Sequence, residues 1–251
     1  LEGDNNDFIL DKKGTYYFVK KNKENIKINF NFKNSGARLF LQGSFSNVDF
    51  DFRKDFKRPD IINKVRYDKN LLTGCVNFFD TIFENVNLKS SDMICEDSIN
   101  IKNSKGKINK IEIDKSSFDA LDLDFSKIYI KDLFIKNAEN DCIDVSFGEY
   151  EVMRAYLVDC GDKGFSVGER SKLSLLSGKI FKSNIGVASK DDAVTNINEV
   201  IMQDINICLT AYNKKKEFKG GRINVKNFNC DNYKTQLQID DMSEINFTKH
   251  N

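Results

Sequence analysis

Short runs in which apolar and polar residues alternate recur at a constant distance along the chain. The run DALDLD, which begins at Asp119, places Leu121 and Leu123 between polar residues and is typical of a strand with one buried face. Six such runs, each starting 22 residues after the last, align without a gap: DSINIK from Asp97, DALDLD from Asp119, DCIDVS from Asp141, KGFSVG from Lys163, IGVASK from Ile185 and ICLTAY from Ile207. A constant repeat of this length predicts a solenoid of stacked units.

The aligned positions indicate which side chains face the interior. The third position is always apolar: Ile99, Leu121, Ile143, Phe165, Val187 and Leu209. A second strand repeats in step through Ile113, Ile135, Leu157, Ile201 and Ile223, although Ile180 lies one residue late. One rung cannot bury its apolar face alone, so stacked rungs must form the core. These features predict an all-β fold: a right-handed parallel β-helix with rungs of about 22 residues, forming one domain over residues 1–251.

The repeat also indicates where the solenoid is irregular. The run from Ile26 precedes a matching run from Val48 by one repeat, which places the first rung near residue 26. Residues 1–25 and 226–251 are predicted to cap the two ends, because an uncovered terminal strand invites aggregation. Residues 53–70 break the pattern with a basic stretch and are predicted to form a loop excursion.

Charge and hydropathy exclude two classes of partner. The 39 Lys and Arg residues nearly balance the 38 Asp and Glu residues, so no overall field favours nucleic acid or a membrane surface. The basic clusters at 53–70 and 214–222 lack the interleaved aromatic residues of a single-strand binding site. No apolar run reaches the ~18 residues of a membrane span. The first residues, LEGDNNDFIL, do not have a signal-peptide pattern and are consistent with attachment to a larger polypeptide.

The six cysteines form neither a CxxC pair nor a Cys/His metal pattern. Cys142 and Cys208 fall in one column three rungs apart, roughly 14 Å at ~4.8 Å per rung, which is too far for a disulfide. Buried free thiols are therefore predicted in preference to disulfides. Free thiols would in turn favour a reducing compartment such as the cytoplasm.

Aspartates are stacked in two columns of the repeat. The first column reads Asp97, Asp119, Asp141 and Lys163, and the fourth reads Asn100, Asp122, Asp144 and Ser166. Carboxylates ~4.8 Å apart repel each other, so one must gain a proton, bind a cation or turn towards water. Three interpretations stay open: turn-forming rows with a structural role, binding of a cation or sugar, and catalysis.

The rungs resemble the pectin-lyase-like right-handed β-helices, including uncharacterised bacterial β-helix repeat proteins, and residues 97–212 are more distantly similar to polygalacturonases. That family carries Asn-x-Asp, Asp-Asp, Gly-His-Gly and Arg-x-Lys on successive rungs. The corresponding segments here are Ser117-Phe118-Asp119, Asn140-Asp141, Asp162-Lys163-Gly164 and Ala188-Ser189-Lys190. The resemblance implies water-activating carboxylates at Asp119 and Asp141. Because Asn140 replaces the general acid, we expect no measurable hydrolysis of polygalacturonate.

A lyase of the same superfamily would imply calcium held by carboxylates and a basic residue that removes the proton beside a uronic acid. Lys190 is the better base, because adjacent carboxylates raise the pKa of Lys163. The one histidine, His250, is expected in a disordered tail, which excludes Ser-His and Cys-His nucleophiles. The candidate residues are Asp119, Asp141, Lys163 and Lys190 for catalysis, Asp122, Asp144 and Tyr212 for substrate binding, and Asp122, Asp124 and Asp144 for calcium.

Two functions compete on this basis. The first is a carbohydrate-directed protein that binds or processes an acidic polysaccharide along the solenoid face. The second is a non-catalytic structural or assembly module of a larger bacterial surface protein. Fold analogy, under which most relatives are exported, favours an extracellular or periplasmic location.

Overall fold

Parallel pairing joins each strand of the chain to its counterpart about one repeat later. The computed structural model describes residues 6–21, 26–57 and 66–248 and shows a parallel β-helix of about ten turns, without a helix in the described residues. The strands are β1 Asp7–Leu10, β2 Gly14–Lys21, β3 Ile26–Phe32, β4 Ala37–Ser46, β5 Val48–Lys54, β6 Gly74–Met93, β7 Asp97–Lys102, β8 Lys105–Ser116, β9 Asp119–Asp124, β10 Lys127–Ala138, β11 Ile143–Ser146, β12 Glu149–Gly168, β13 Lys172–Lys190, β14 Val194–Tyr212, β15 Arg222–Ile239 and β16 Glu244–Phe247. The predicted all-β parallel β-helix is confirmed.

The predicted interior ladder is present and continuous. Pairing runs through Ile99, Leu121, Ile143, Phe165, Val187 and Leu209 in that order. All six side chains are fully buried. Val76 of β6 extends the ladder by one rung before Ile99. The ladder therefore forms one side of an apolar core that continues along the solenoid axis.

The second predicted ladder is correct only in its first half. Ile113, Ile135 and Leu157 are paired as expected, but the next members are Ile180, Met202 and Cys230 rather than Ile201 and Ile223. Met202 is fully buried, whereas Ile201 is half-buried. The offset of Ile180 reflects one inserted residue on this side of the coil, and Met202 on the next rung keeps the shift. Extrapolating a strict 22-residue period past it selects the wrong face.

The two ends of the described chain continue the coil where caps were predicted. Strand β1 pairs with β3, and β2 pairs with β4, so the rungs begin at Asp7 rather than near residue 26. The spacing of Phe8, Phe30 and Phe52 already contained this information. At the other end, β15 and β16 extend the ladder to Phe247, although β15 is largely exposed beyond Cys230. His250 lies outside the described residues.

The stretch 53–70 was predicted to leave the coil, and residues 58–65 of it lie outside the described residues. Strand β5 continues to Lys54, and β6 begins at Gly74. Across this stretch Ser46 is paired with Glu84, 38 residues later, which is well over one repeat. The described residues 66–73 lie against the face formed by β7, β9 and β11 and form one wall of the groove described below.

The prediction of free thiols is wrong, because all six cysteines form disulfides. The pairs are Cys75–Cys95, Cys142–Cys160 and Cys208–Cys230, with Cα atoms 5.3, 5.3 and 6.5 Å apart. Cysteines in one column are indeed too far apart to bond. Each cysteine instead bonds to a cysteine in a different column. Because the two are separated by about one turn of the coil, they lie within one rung of each other. The expectation of a reducing compartment loses its basis with the free thiols.

The turns of the solenoid repeat a left-handed backbone residue. One column of these turns contains Asp92, Lys115, Asn137, Asp159, Lys182 and Asp204, and the turn that follows the sheet of β7, β9 and β11 contains Asp80, Asn103, Phe125, Phe147, Glu169 and Asp191. Positive φ favours Asn and Asp among the residues with a side chain, and their side chains also bond to neighbouring backbone.

Candidate functional site

A groove of about 540 Å³ runs along the outer face of β7, β9 and β11. Its floor comes from the fourth and sixth positions of successive rungs, which point outwards because the third and fifth positions point inwards. One wall is the 66–73 segment, and another includes Lys214 and Lys215 from the loop between β14 and β15. The floor residues are Asn100, Lys102, Asp122, Asp124, Asp144, Ser146 and Lys190.

Two predicted substrate contacts, Asp122 and Asp144, lie on this floor, while Tyr212 is not part of the lining. Asn100 donates a hydrogen bond to Asp122 at 2.8 Å. Burial raises the pKa of Asp122 well above its usual range, and the carboxyl of Asp97 adds to the effect. Burial also raises the pKa of Asp124. Both shifts favour the neutral carboxylic acid over the carboxylate.

The first aspartate column lies beside the groove and has structural bonds of its own. The carboxylate of Asp119 accepts hydrogen bonds from the Asn140 amide at 2.6 Å and from the backbone N–H of Asp141 at 2.8 Å. The carboxylate of Asp141 in turn accepts the backbone N–H of Lys163 at 3.0 Å. Each aspartate therefore ties its rung to the next one, which is the turn-forming role that the residue type favours.

These two carboxyls nevertheless titrate in an unusual range. The pKa of Asp119 is raised to about 7, mainly by burial and further by the charge of Asp141. Burial also raises the pKa of Asp141 to about 6, although the ammonium of Lys163 opposes the shift. The pair can thus hold or release a proton near neutral pH, the property required of a general acid or base.

Both candidate lysines are held in their charged form. Burial alone would lower the pKa of Lys190, but Asp144, whose Oδ1 lies 3.7 Å from Nζ, together with Tyr212 and Asp141 outweighs burial, and the pKa is raised. Nζ also donates to Ser166, and the stem passes so close to Gly168 that a Cβ there would lie 2.9 Å from Cε. Lys163 is similarly charged, because Asp141 and Asp162 outweigh the effect of burial on its pKa. A charged lysine is a poor base, so the geometry does not favour proton abstraction by Lys190.

The carboxylates that come closest together differ from the predicted calcium set. Within the described residues, oxygens of Asp119, Asp141 and Asp144 lie within 4.8 Å of one another, and only Asp144 belongs to the predicted set of Asp122, Asp124 and Asp144. Calcium requires six to eight oxygen ligands. Here two of the three carboxylates already face the ammonium groups of Lys163 and Lys190. The arrangement therefore fits a bound calcium ion poorly.

Several groove residues were not anticipated from the sequence. Glu169 accepts a hydrogen bond from Ser146 at 2.6 Å and pairs with Lys215, which attaches the 214–215 wall to the floor. Arg66 and Tyr67 come from the loop excursion. Arg66, Tyr67 and Lys215 lie in loops outside the periodic strands, so the repeat contained no signal for their position. Glu169 occupies a repeated turn position, but its role in the groove depends on the loop that carries Lys215.

Stability should fall as pH rises from about 5 to about 7, because the folded state holds protons that the unfolded chain has released. The carboxyls of Asp119 and Asp141 titrate near 3.8 when unfolded but near 7 and 6 when folded. The folded state thus binds more protons in this interval, and the free energy of unfolding decreases with pH. Urea unfolding at several pH values measures the slope.

The matched variants are Asp119→Asn and Asp132→Asn. Asn at 119 keeps the accepting oxygen but removes one titrating group, so the slope should become flatter. A hydrogen bond from Arg154 lowers the pKa of Asp132, which therefore titrates below the interval, and its variant should keep the slope. A wild-type stability that is constant or rises over this interval would contradict the prediction.

Comparison with known proteins finds no matching family model, no significantly similar curated protein and no significantly matching solved structure. Among the described residues, no helix is both long and apolar enough to cross a membrane. The fold is therefore established by its own geometry, and function has to be inferred from the groove.

Proposed function

We propose that the protein binds an acidic polysaccharide in the groove over β7, β9 and β11. The observation that carries this proposal is the charge balance of the lining. Five cationic side chains face four carboxyl groups: Arg66, Lys102, Lys190, Lys214 and Lys215 against Asp122, Asp124, Asp144 and Glu169. Even with all four carboxyls ionised, these side chains carry one net positive charge, and the raised pKa values of Asp122 and Asp124 act in the same direction. Such a field attracts a polyanion.

The shape of the groove supports a linear ligand over a compact one. The floor repeats once per rung, so successive sugar units meet similar sets of carboxyl, amide and ammonium groups. Ligand sites generally combine apolar lining with a few placed polar groups that fix orientation. The three disulfides are typical of proteins from oxidising compartments, where extracellular and periplasmic polysaccharides occur.

Slow hydrolysis is a second candidate, favoured by the titration of Asp119 and Asp141 near neutral pH. One of the two carboxyls can donate a proton while the other activates water, which would replace the acid missing at Asn140. Binding remains the leading proposal, because neither carboxyl forms part of the groove lining.

Calorimetric titration with a galacturonate hexamer and with a neutral glucose hexamer tests the proposal. We expect tighter binding of the acidic oligomer, and a three- to tenfold weaker affinity, roughly 1 kcal/mol, in the double variant Lys102→Ala, Lys214→Ala. The control Lys136→Ala, Lys179→Ala removes equal charge from other exposed positions and should bind normally. The same samples are assayed for new reducing ends and for unsaturated product, and we expect neither. Binding that is absent, or equally weakened in both double variants, would refute the groove assignment.

A further inference from the structure

Two phenylalanines occupy turn positions that favour other residues. Phe125 and Phe147 have φ values of 49° and 48°, in the left-handed region. Equivalent turns use Asp80, Asn103 and Asp191. For a bulky residue this backbone conformation is a genuine outlier, because Cβ approaches the neighbouring carbonyl. The two phenylalanines therefore make the turns less stable than asparagine would.

Burial in the core does not compensate for this cost. The side chain of Phe125 is 50% exposed and that of Phe147 is 36% exposed. The two rings are stacked with their centroids 4.7 Å apart and their planes 4° from parallel, and Phe218 meets Phe147 edge to face. Strained positions that persist without a structural benefit are concentrated at binding sites.

The ring pair lies at the boundary of the proposed binding site. Both rings line the groove, on whose floor Asp122, Asp144 and Lys190 lie. They also line a shallower depression on their other side, so they form a ridge between the two concave surfaces. The ammonium of Lys102 lies 5.5 Å from the centroid of Phe125, and the groove thus places an apolar ridge next to charged groups.

We propose that Phe125 and Phe147 contact the ligand directly and form an apolar wall against which the C–H surface of a sugar ring packs. This inference rests on the proposed function and names its recognition chemistry: a ring with an apolar surface and an anionic, hydroxyl-rich edge. The apolar surface packs on the phenyl groups, while hydroxyl and carboxylate groups reach the carboxyl, amide and ammonium groups of the floor.

The floor argues against a nucleic acid in the same place. Single-stranded nucleic acids also bind through aromatic stacking next to cations. Here, however, the groove also contains the carboxyl groups of Asp122, Asp124, Asp144 and Glu169, which require hydrogen-bond donors on the ligand. Sugar hydroxyls can donate hydrogen bonds to such groups, whereas phosphate diesters cannot.

The substitutions Phe125→Asn and Phe147→Asn test the inference, because Asn103 occupies the equivalent turn one rung earlier with φ 49°. We expect each variant to keep or raise the melting temperature and to bind the galacturonate hexamer roughly tenfold more weakly. A purely structural role predicts the reverse, a lower melting temperature with unchanged affinity. The variants Phe125→Tyr and Phe147→Tyr keep the ring and should keep the affinity.

The possible outcomes distinguish the role of the two phenylalanines from the proposed saccharide binding. Hexamer binding that survives in both asparagine variants would overturn the role of the rings and leave the proposed function intact. Failure of the wild-type protein to bind either hexasaccharide would overturn the proposed function and the inference together. Tighter binding of a thymidine hexanucleotide than of the galacturonate hexamer, lost in the asparagine variants, would overturn the assignment to a saccharide.

Discussion

The substitution Ile143→Asp should destabilise the protein by several kcal/mol and disrupt the central turns of the coil. Ile143 is fully buried between Leu121 and Phe165, so an aspartate there would place a carboxylate without a cationic partner in the apolar stack. Loss of the side-chain packing costs about 2–5 kcal/mol, and burial of a polar group adds to that cost. The free energy of unfolding, measured by urea denaturation, gives the effect.

A charge on an outward position of the same coil is the appropriate control. Ser174→Asp changes an exposed strand residue and should alter stability by less than about 0.5 kcal/mol. The more conservative Ile143→Val should cost about 1 kcal/mol. If Ile143→Asp retained the wild-type midpoint, the interior ladder would be incorrect.

Removal of the Cys142–Cys160 disulfide should lower the free energy of unfolding by about 3 kcal/mol. The bond closes a loop of 18 residues, and breaking it gives the unfolded chain the entropy that the crosslink had removed. The double variant Cys142→Ala, Cys160→Ala measures the loss in urea. Alanine avoids a buried hydroxyl at two sites where the cysteines are almost fully buried.

Thiol titration provides the direct control. The wild-type protein, denatured without reductant, should show no reactive thiol, and after reduction it should show six. Reductant should lower the unfolding midpoint of the wild-type protein more than that of the double variant. Detection of six thiols before reduction would restore the free-cysteine prediction and contradict the disulfides.

The periodic part of the structure could be predicted from sequence, and the non-periodic part could not. Leu121 and Ile143 are recognisable because strand alternation and the repeat both require an apolar residue there. Met202 was missed because a single inserted residue between Leu157 and Ile180 shifts the side chains that follow on that side of the coil. Disulfide pairing was missed because Cys142 and Cys160 lie in different columns of the repeat, and the period relates only residues of one column.

In the candidate site, too, the positions of the periodic residues could be predicted and those of the loop residues could not. The carboxyls of Asp122 and Asp144 were expected on one outward face, because their spacing equals one rung. The stacking of Asp119 and Asp141 indicated mutual repulsion, but burial is the larger cause of their raised pKa values and depends on the complete fold. The walls contributed by Arg66 and Lys215 come from loops, whose conformations no repeat determines.

The disulfides have a mechanical consequence for a protein in which each turn contacts only its neighbours. Unfolding of such a solenoid can start at an end and advance one turn at a time. The exposed part of β15 beyond Cys230 is the natural starting point towards the C-terminal end of the described residues. Each disulfide encloses a loop of close to one turn, with the bonded cysteines 20, 18 and 22 positions apart in the sequence. Under a pulling force these loops cannot be extended, so the crosslinked turns resist extension along the solenoid axis. The β7, β9 and β11 strands that carry the groove lie between the first disulfide and the last.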